Sequence, residues 1–168
     1  SYTRLNSTII PSATKQFRDT NVQPGQPYYY KFSVVQTDFT ESQASNIAQG
    51  TPLDTILPVI SHVPLTTASP SQTLSLVADI TDNVAVTGAT LYFRVQGAST
   101  YESRSLVKTT GNRYSVAIEG SRVVAPGLEY YLTATDGRTT ALSGRPDQPY
   151  LIVVQDRPVL TGITPATG

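Results

Sequence analysis

The chain is 168 residues long, and its charge cancels, with Lys+Arg at 12 and Asp+Glu at 12. Charged residues make up only 14% of it, below the roughly 25% of an average soluble protein, so there is no basic field to attract nucleic acid or anionic lipid. The absence of cysteine rules out disulfides, zinc–thiolate sites and thiol catalysis together, and no apolar run is long enough to span a bilayer. Methionine is absent as well, position 1 included, so the sequence is expected to be part of a longer precursor or a processed product.

In chain order, residues 1–52 read as short strands at 2–5, 14–18, 28–36 and 45–49. Turn chemistry separates them at Pro11-Ser12, Asn21, Pro24-Gly25 and Asp38. Tyr28, Tyr30, Phe32 and Val34 alternate along the third, so one of its faces needs an apolar cover. Residues 53–57 form a linker between Pro52 and Pro58, and two prolines so close fix φ and favour extended neighbours.

Residues 58–156 carry a full set of strands. The first covers 58–63. The second, 73–80, sends Leu74, Leu76, Ala78 and Ile80 inward and Thr73, Ser75, Val77 and Asp79 outward. Leu91, Phe93 and Val95 repeat this within 89–95, and 101–108 is a more polar edge. Tyr114, Val116 and Ile118 face the core next, then Tyr130, Leu132 and Ala134, and a strand at 150–154 completes seven.

A Pro-Gly-x-x-Tyr-Tyr signature occurs twice, as Pro24-Gly25-Gln26-Pro27-Tyr28-Tyr29 and as Pro126-Gly127-Leu128-Glu129-Tyr130-Tyr131. The distance between the copies is about one domain, which divides the chain in two. The motif resembles the start of the sixth strand in immunoglobulin-like sandwiches, where a corner tyrosine returns its hydroxyl to upstream backbone. That resemblance implies an all-β chain of tandem immunoglobulin-like, fibronectin type III-like sandwiches, with Tyr28 and Tyr130 as structural tyrosine corners. Arg18-Asp19-Thr20, the Pro24-Gly25 turn and Glu41-Ser42-Gln43-Ala44-Ser45-Asn46 are similar to the second half of a fibronectin type III module. On this resemblance residues 1–52 are a C-terminal half-module whose first three strands are missing. Ile80-Thr81-Asp82-Asn83-Val84-Ala85-Val86 with Thr90-Leu91-Tyr92-Phe93-Arg94 resembles the repeats of large secreted bacterial proteins. Residues 157–168, with Pro158-Val159-Leu160-Thr161-Gly162-Ile163, resemble the opening strand of an IPT/TIG domain.

Chemistry-bearing residues are few. His62 is the sole histidine, and with no Gly-x-Ser-x-Gly elbow to pair with it, it reads as an ordinary surface or edge residue. The carboxylates are scattered and mostly sit in turns, where a short acidic side chain tightens the loop, so no glycosidase pair stands out. The topology implied by the resemblance brings Asp82 and Asn83, after the second strand, to the same end as Asp136, after the sixth, with Asp54 arriving from the linker. Those oxygen ligands define a candidate calcium site, with no other cofactor expected. Tyr29, Tyr92 and Tyr131 fall on outward positions as candidate exposed aromatic contacts for sugar rings.

The expectation is a non-catalytic structural or interaction segment of a secreted or surface-exposed bacterial protein, serving as spacer, adhesion or assembly module. Its partners would be other modules of the same parent chain, a further protein chain or a polysaccharide. The alternative is a carbohydrate-binding accessory module of a secreted glycoside hydrolase or other extracellular enzyme. Three coplanar exposed aromatics would favour that alternative.

Overall fold

The computed structural model describes residues 2–14 and 16–155, so the segment at 157–168 lies outside the described residues. The chain divides into two compact units, Ser1–Asp54 and Thr55–Gly168, and the boundary falls inside the proline-bounded linker.

The first unit is built on one hairpin. Strand β1 (Tyr28–Tyr30) pairs antiparallel with β2 (Ala48–Gly50), with Tyr28 opposite Gly50 and Tyr30 opposite Ala48. Toward the turn serine hydroxyls take over half of the ladder: the Phe32 amide donates to Ser45 Oγ at 3.1 Å and the Val34 amide to Ser42 Oγ at 2.9 Å, while the Ser45 and Ser42 amides still donate to the Phe32 and Val34 carbonyls at 2.8 Å. A single bridge, Val35 to Glu41, resumes it. The strand expected over 28–36 is therefore three regular residues followed by a serine-spliced extension. The strands expected at 2–5 and 14–18 do not form among the described residues. Short segments at the end of a lone hairpin have no neighbouring ladder to join, and a two-stranded sheet gains little stability alone. No described residue of this unit is buried; Phe32 is 71% and Val34 57% exposed, so the apolar face that the alternation predicts is present and uncovered.

The second unit holds ten strands: β3 (Val59–Ser61), β4 (Thr67–Ala68), β5 (Leu74–Thr81), β6 (Gly88–Val95), β7 (Glu102–Ser105), β8 (Val107–Lys108), β9 (Arg113–Ile118), β10 (Gly127–Thr135), β11 (Thr140–Ser143) and β12 (Tyr150–Val154). One sheet runs β3-β5-β9-β8; the other runs β4-β12-β10-β6-β7, with β11 paired to the far half of β10. Their inner faces meet in one apolar cluster. Leu76, Ala78 and Ile80 of β5 and Ile118 of β9 pack with Leu91 and Phe93 of β6, Leu128, Tyr130 and Leu132 of β10, and Ile152 of β12. The period-2 alternation of these strands puts every one of those side chains on the inner face. Each large apolar side chain so buried contributes roughly 1.5–3 kcal/mol. No polar or charged residue is buried among the described residues. The unit is an all-β sandwich, in keeping with an immunoglobulin-like layering.

One of the seven expected strands splits between the sheets, and two short strands, β4 and β11, are additional to the seven. The first forms as β3, after which residues 62–66 carry the chain to an additional strand, β4, on the other sheet. The edge at 101–108 breaks at Leu106, which is 7% exposed and whose amide donates to the Ala89 carbonyl at 2.9 Å; β7 stays with β6 while β8 joins β9. An apolar residue between two polar stretches is drawn into the core, and the strand turns there. The last forms at its expected place as β12, and the additional β11 shares β10 with it.

Candidate functional site

The two Pro-Gly-x-x-Tyr-Tyr copies use the same residues for different ends. Gly25 has φ of 75°, the left-handed geometry that glycine supplies to a turn. Gly127 lies instead within β10, where a Cβ would collide with the Ile152 carbonyl of β12, so it is needed for close strand approach. The Tyr28 hydroxyl accepts from the Gln23 amide at 2.8 Å, five residues upstream. The Tyr130 hydroxyl accepts from the Leu65 amide at 3.1 Å, reaching the connection between β3 and β4.

Tyr130 is fully buried, and burial pushes its hydroxyl pKa up to about 12, an effect only partly offset by the Leu65 hydrogen bond. It also meets His62. That histidine is no free surface residue: Nδ1 lies 2.7 Å from the Val77 carbonyl and Nε2 2.8 Å from the Tyr130 hydroxyl, with the ring edge-on to Tyr130 at 5.7 Å. The side chain leaves the first strand at the point of crossover, where it is held between both sheets. The Val63-Pro64 pair beside it is the only sequence trace of that crossover.

At one end of the sandwich, the loop after β5 and the loop after β10 bring Asp82 and Asp136 together, with carboxylate oxygens within 4.8 Å. Each already closes its own loop. Asp82 Oδ1 accepts from the Val84 and Ala85 amides at 2.8 and 2.9 Å, while its Oδ2 is shielded from solvent without a hydrogen-bond partner. Asp136 accepts from the Thr139 hydroxyl, the Thr139 amide and the Arg138 amide at 2.6, 2.6 and 2.5 Å. Those bonds, the Thr139 hydroxyl foremost, hold its carboxyl below the usual range. Asn83, beside Asp82, is exposed, and Asp54 is the last residue of the first unit. Calcium takes six to eight oxygens, and this end of the second unit offers two carboxylates that also serve their own turns.

On the outer face of the larger sheet, Tyr92 of β6 stands directly opposite Tyr131 of β10, and Arg94 opposite Glu129. Tyr92 and Tyr131 stack at 4.8 Å with their planes 6° apart, and Tyr101 meets Tyr131 edge-on at 5.1 Å. The Arg94 guanidinium lies 4.2 Å above the Tyr101 ring and donates to Glu129 at 2.6 Å. Tyr131 points outward as its position requires but is only 9% exposed, which corrects the expectation of an exposed aromatic. Its neighbours across the strands cover it, and that burial raises its hydroxyl pKa. The three rings lean on one another and offer no flat platform. Tyr29 belongs to the first unit, where it is 53% exposed. The contributions of Tyr101, Arg94 and Glu129 are missed by sequence reasoning, because cross-strand register decides them.

Two open grooves flank β11, of about 510 and 440 Å³. The larger is lined by Leu57, Pro58, Leu142, Arg145 and Asp147 among others, and neither contains a histidine or a pair of carboxylates. No helix among the described residues is long and apolar enough to cross a membrane. Compared with models of known protein families the chain matches none, and compared with curated protein sequences it has no match.

Proposed function

We propose that the chain is a non-catalytic spacer segment of a secreted or surface-exposed protein, with sandwich modules of immunoglobulin-like and fibronectin type III-like kind holding other parts of the parent chain apart. The observation that carries this reading is the pairing of the second unit's last strand with its second. β4, near its entry, runs parallel to β12, at its exit, with Thr67 opposite Val153 and Ala68 opposite Val154. The Val153 amide donates to the Thr66 carbonyl at 2.9 Å and the Gln155 amide to the Ala68 carbonyl at 3.2 Å. Tension between the two ends of such a unit first meets the three-residue β3 on β5; once that is drawn off, it acts along β4 and β12 and loads these bonds together.

The use made of the chemistry-bearing side chains supports the same reading. His62 is held at both nitrogens, Asp82 and Asp136 close turns, and the outer tyrosines stack on each other. That self-stacking weighs against the carbohydrate-binding alternative, which calls for rings left free to lie on a sugar.

Stretching the second unit from its ends in a single-molecule pulling experiment tests the proposal. The cysteine-free chain accepts attachment residues at Thr55 and at the far end without side reactions. The expected result is one abrupt unfolding event. Gln155→Pro, which deletes the donor to Ala68 at an exposed position, should speed unfolding under load by roughly tenfold while moving the urea midpoint little. Gradual yielding of the wild type at low force would refute a spacer built to bear tension.

A further inference from the structure

The connection between β3 and β4 carries the chain from one sheet to the other, and three hydrogen bonds fasten it. His62 Nδ1 faces the Val77 carbonyl of β5, His62 Nε2 faces the Tyr130 hydroxyl of β10, and the Leu65 amide donates to that same hydroxyl oxygen. A carbonyl can only accept, so Nδ1 carries the proton. In the neutral ring Nε2 is then a lone pair, and it accepts the Tyr130 O–H. In the neutral imidazole every donor has an acceptor and each group has one role.

We propose that His62 is an acid-sensitive latch: neutral, it ties the crossover and the following strand β4 to both sheets, and protonation undoes the tie. A protonated imidazole donates from both nitrogens. The Tyr130 oxygen would then have to accept from Nε2 as well as from Leu65, and its own proton would lose its acceptor. Tyr130 is 0% exposed, and its hydroxyl has no other hydrogen-bond partner among the described residues, so water cannot take that proton. An unpaired buried hydroxyl is costly.

Among the described residues no nearby group is placed to hold the positive charge instead. β5 presents the Val77 carbonyl, and its Asp79, in register with Ser61, is exposed and forms no ion pair with His62. β10 presents Tyr130. β12 presents Tyr150, whose ring lies 5.8 Å away and whose hydroxyl is bonded to Ser143. The latch stands or falls independently of any role under tension, because it concerns only how β4 is docked.

Amide hydrogen exchange followed by NMR on the whole chain tests it, at about pH 7.5 and about pH 5, with the intrinsic pH dependence of exchange divided out. The expected result is a loss of protection of about tenfold at Leu65, Val153 and Gln155 in acid, against less than about twofold at Leu91 and Leu132 in the β6–β10 ladder. His62→Gln supplies a donor and an acceptor but cannot take a proton, and it should abolish the difference. Unchanged protection at the three amides, a uniform loss across the unit, or the same local loss in His62→Gln would each overturn the proposal. The wild-type comparison of local with core amides stands even if the variant folds poorly. His62 is the only histidine in the chain, so no other imidazole can produce the signal.

Discussion

Ionising Tyr130 should unfasten the second unit in alkali. The hydroxyl is buried in the core cluster and its pKa rises from 10.0 to about 12, chiefly because burial disfavours the phenolate. A folded-state pKa above the unfolded one means that the stabilising contribution is complete below about pH 10 and is lost as pH climbs through 12. Each pKa unit is worth 1.36 kcal/mol, so about 2.7 kcal/mol is lost in full, of which about 1.3 kcal/mol disappears between pH 9 and pH 11. Denaturant melts of wild type and Tyr130→Phe across that interval isolate the effect, because every other tyrosine and lysine titrates in both proteins. At neutral pH the variant should be less stable by about 1–3 kcal/mol, having left the Leu65 amide and His62 Nε2 without their partner. Its stability should then fall less steeply with pH than that of the wild type, by the amount just given. Parallel pH profiles for the two proteins would refute the reasoning.

The remaining expectations concern the core, the loops and the first unit. Phe93→Ala and Leu132→Ala, at 1% and 0% exposure, should each cost about 2–5 kcal/mol in a denaturant melt, and losses below about 0.5 kcal/mol at both would mean the inner face is wrongly assigned. Asp136→Ala removes three hydrogen bonds that close its loop and should lower the melting temperature equally in millimolar calcium and in chelator. A wild-type melting temperature that rises with calcium, with the rise lost in Asp136→Ala, would instead establish a bound cation at this end. Because those bonds hold the Asp136 carboxyl below its usual range, its contribution is present above the ordinary carboxylate pKa and is lost as pH falls through the lowered one. In the first unit, Phe32→Ser and Val34→Ser should change stability by less than about 0.5 kcal/mol and residues 28–36 should exchange their amides quickly, whereas strong protection there would mean that the exposed face is covered in solution.

The inner faces of β5, β6, β9 and β10 are legible in the sequence because alternation is a local property: Leu76, Ala78 and Ile80, or Tyr130, Leu132 and Ala134, announce the buried face without reference to any partner. The approach of Asp82 to Asp136 is legible for a related reason, since both follow strands that end at the same edge of the sandwich. Where a strand changes sheets is not legible. Ser105, Leu106 and Val107 read as a continuous edge, and only competition between two already formed sheets decides that the chain turns at Leu106. Nor does the role of His62 show, because its partners, Val77 and Tyr130, are 15 and 68 residues away. Tyr131 illustrates the limit of periodicity: alternation gives the direction of a side chain, while its exposure depends on what Tyr92 and Tyr101 place over it.

The sheet-switching strands also govern how such a unit behaves among many copies of itself. β3 and β8 border one sheet and β4 and β7 the other, with β11 beside the far half of β10, and none of these five exceeds four residues, while the interior strands run to eight and nine. An unpaired strand is a template for another chain, and its danger grows with the length of continuous backbone it offers. By cutting each border strand short, the described part of this unit leaves no border strand on which a neighbouring chain could build a register of more than a few bonds. A unit of this kind can be crowded against its own kind and stay separate, at the expense of any role that depends on recruiting a partner by adding a strand.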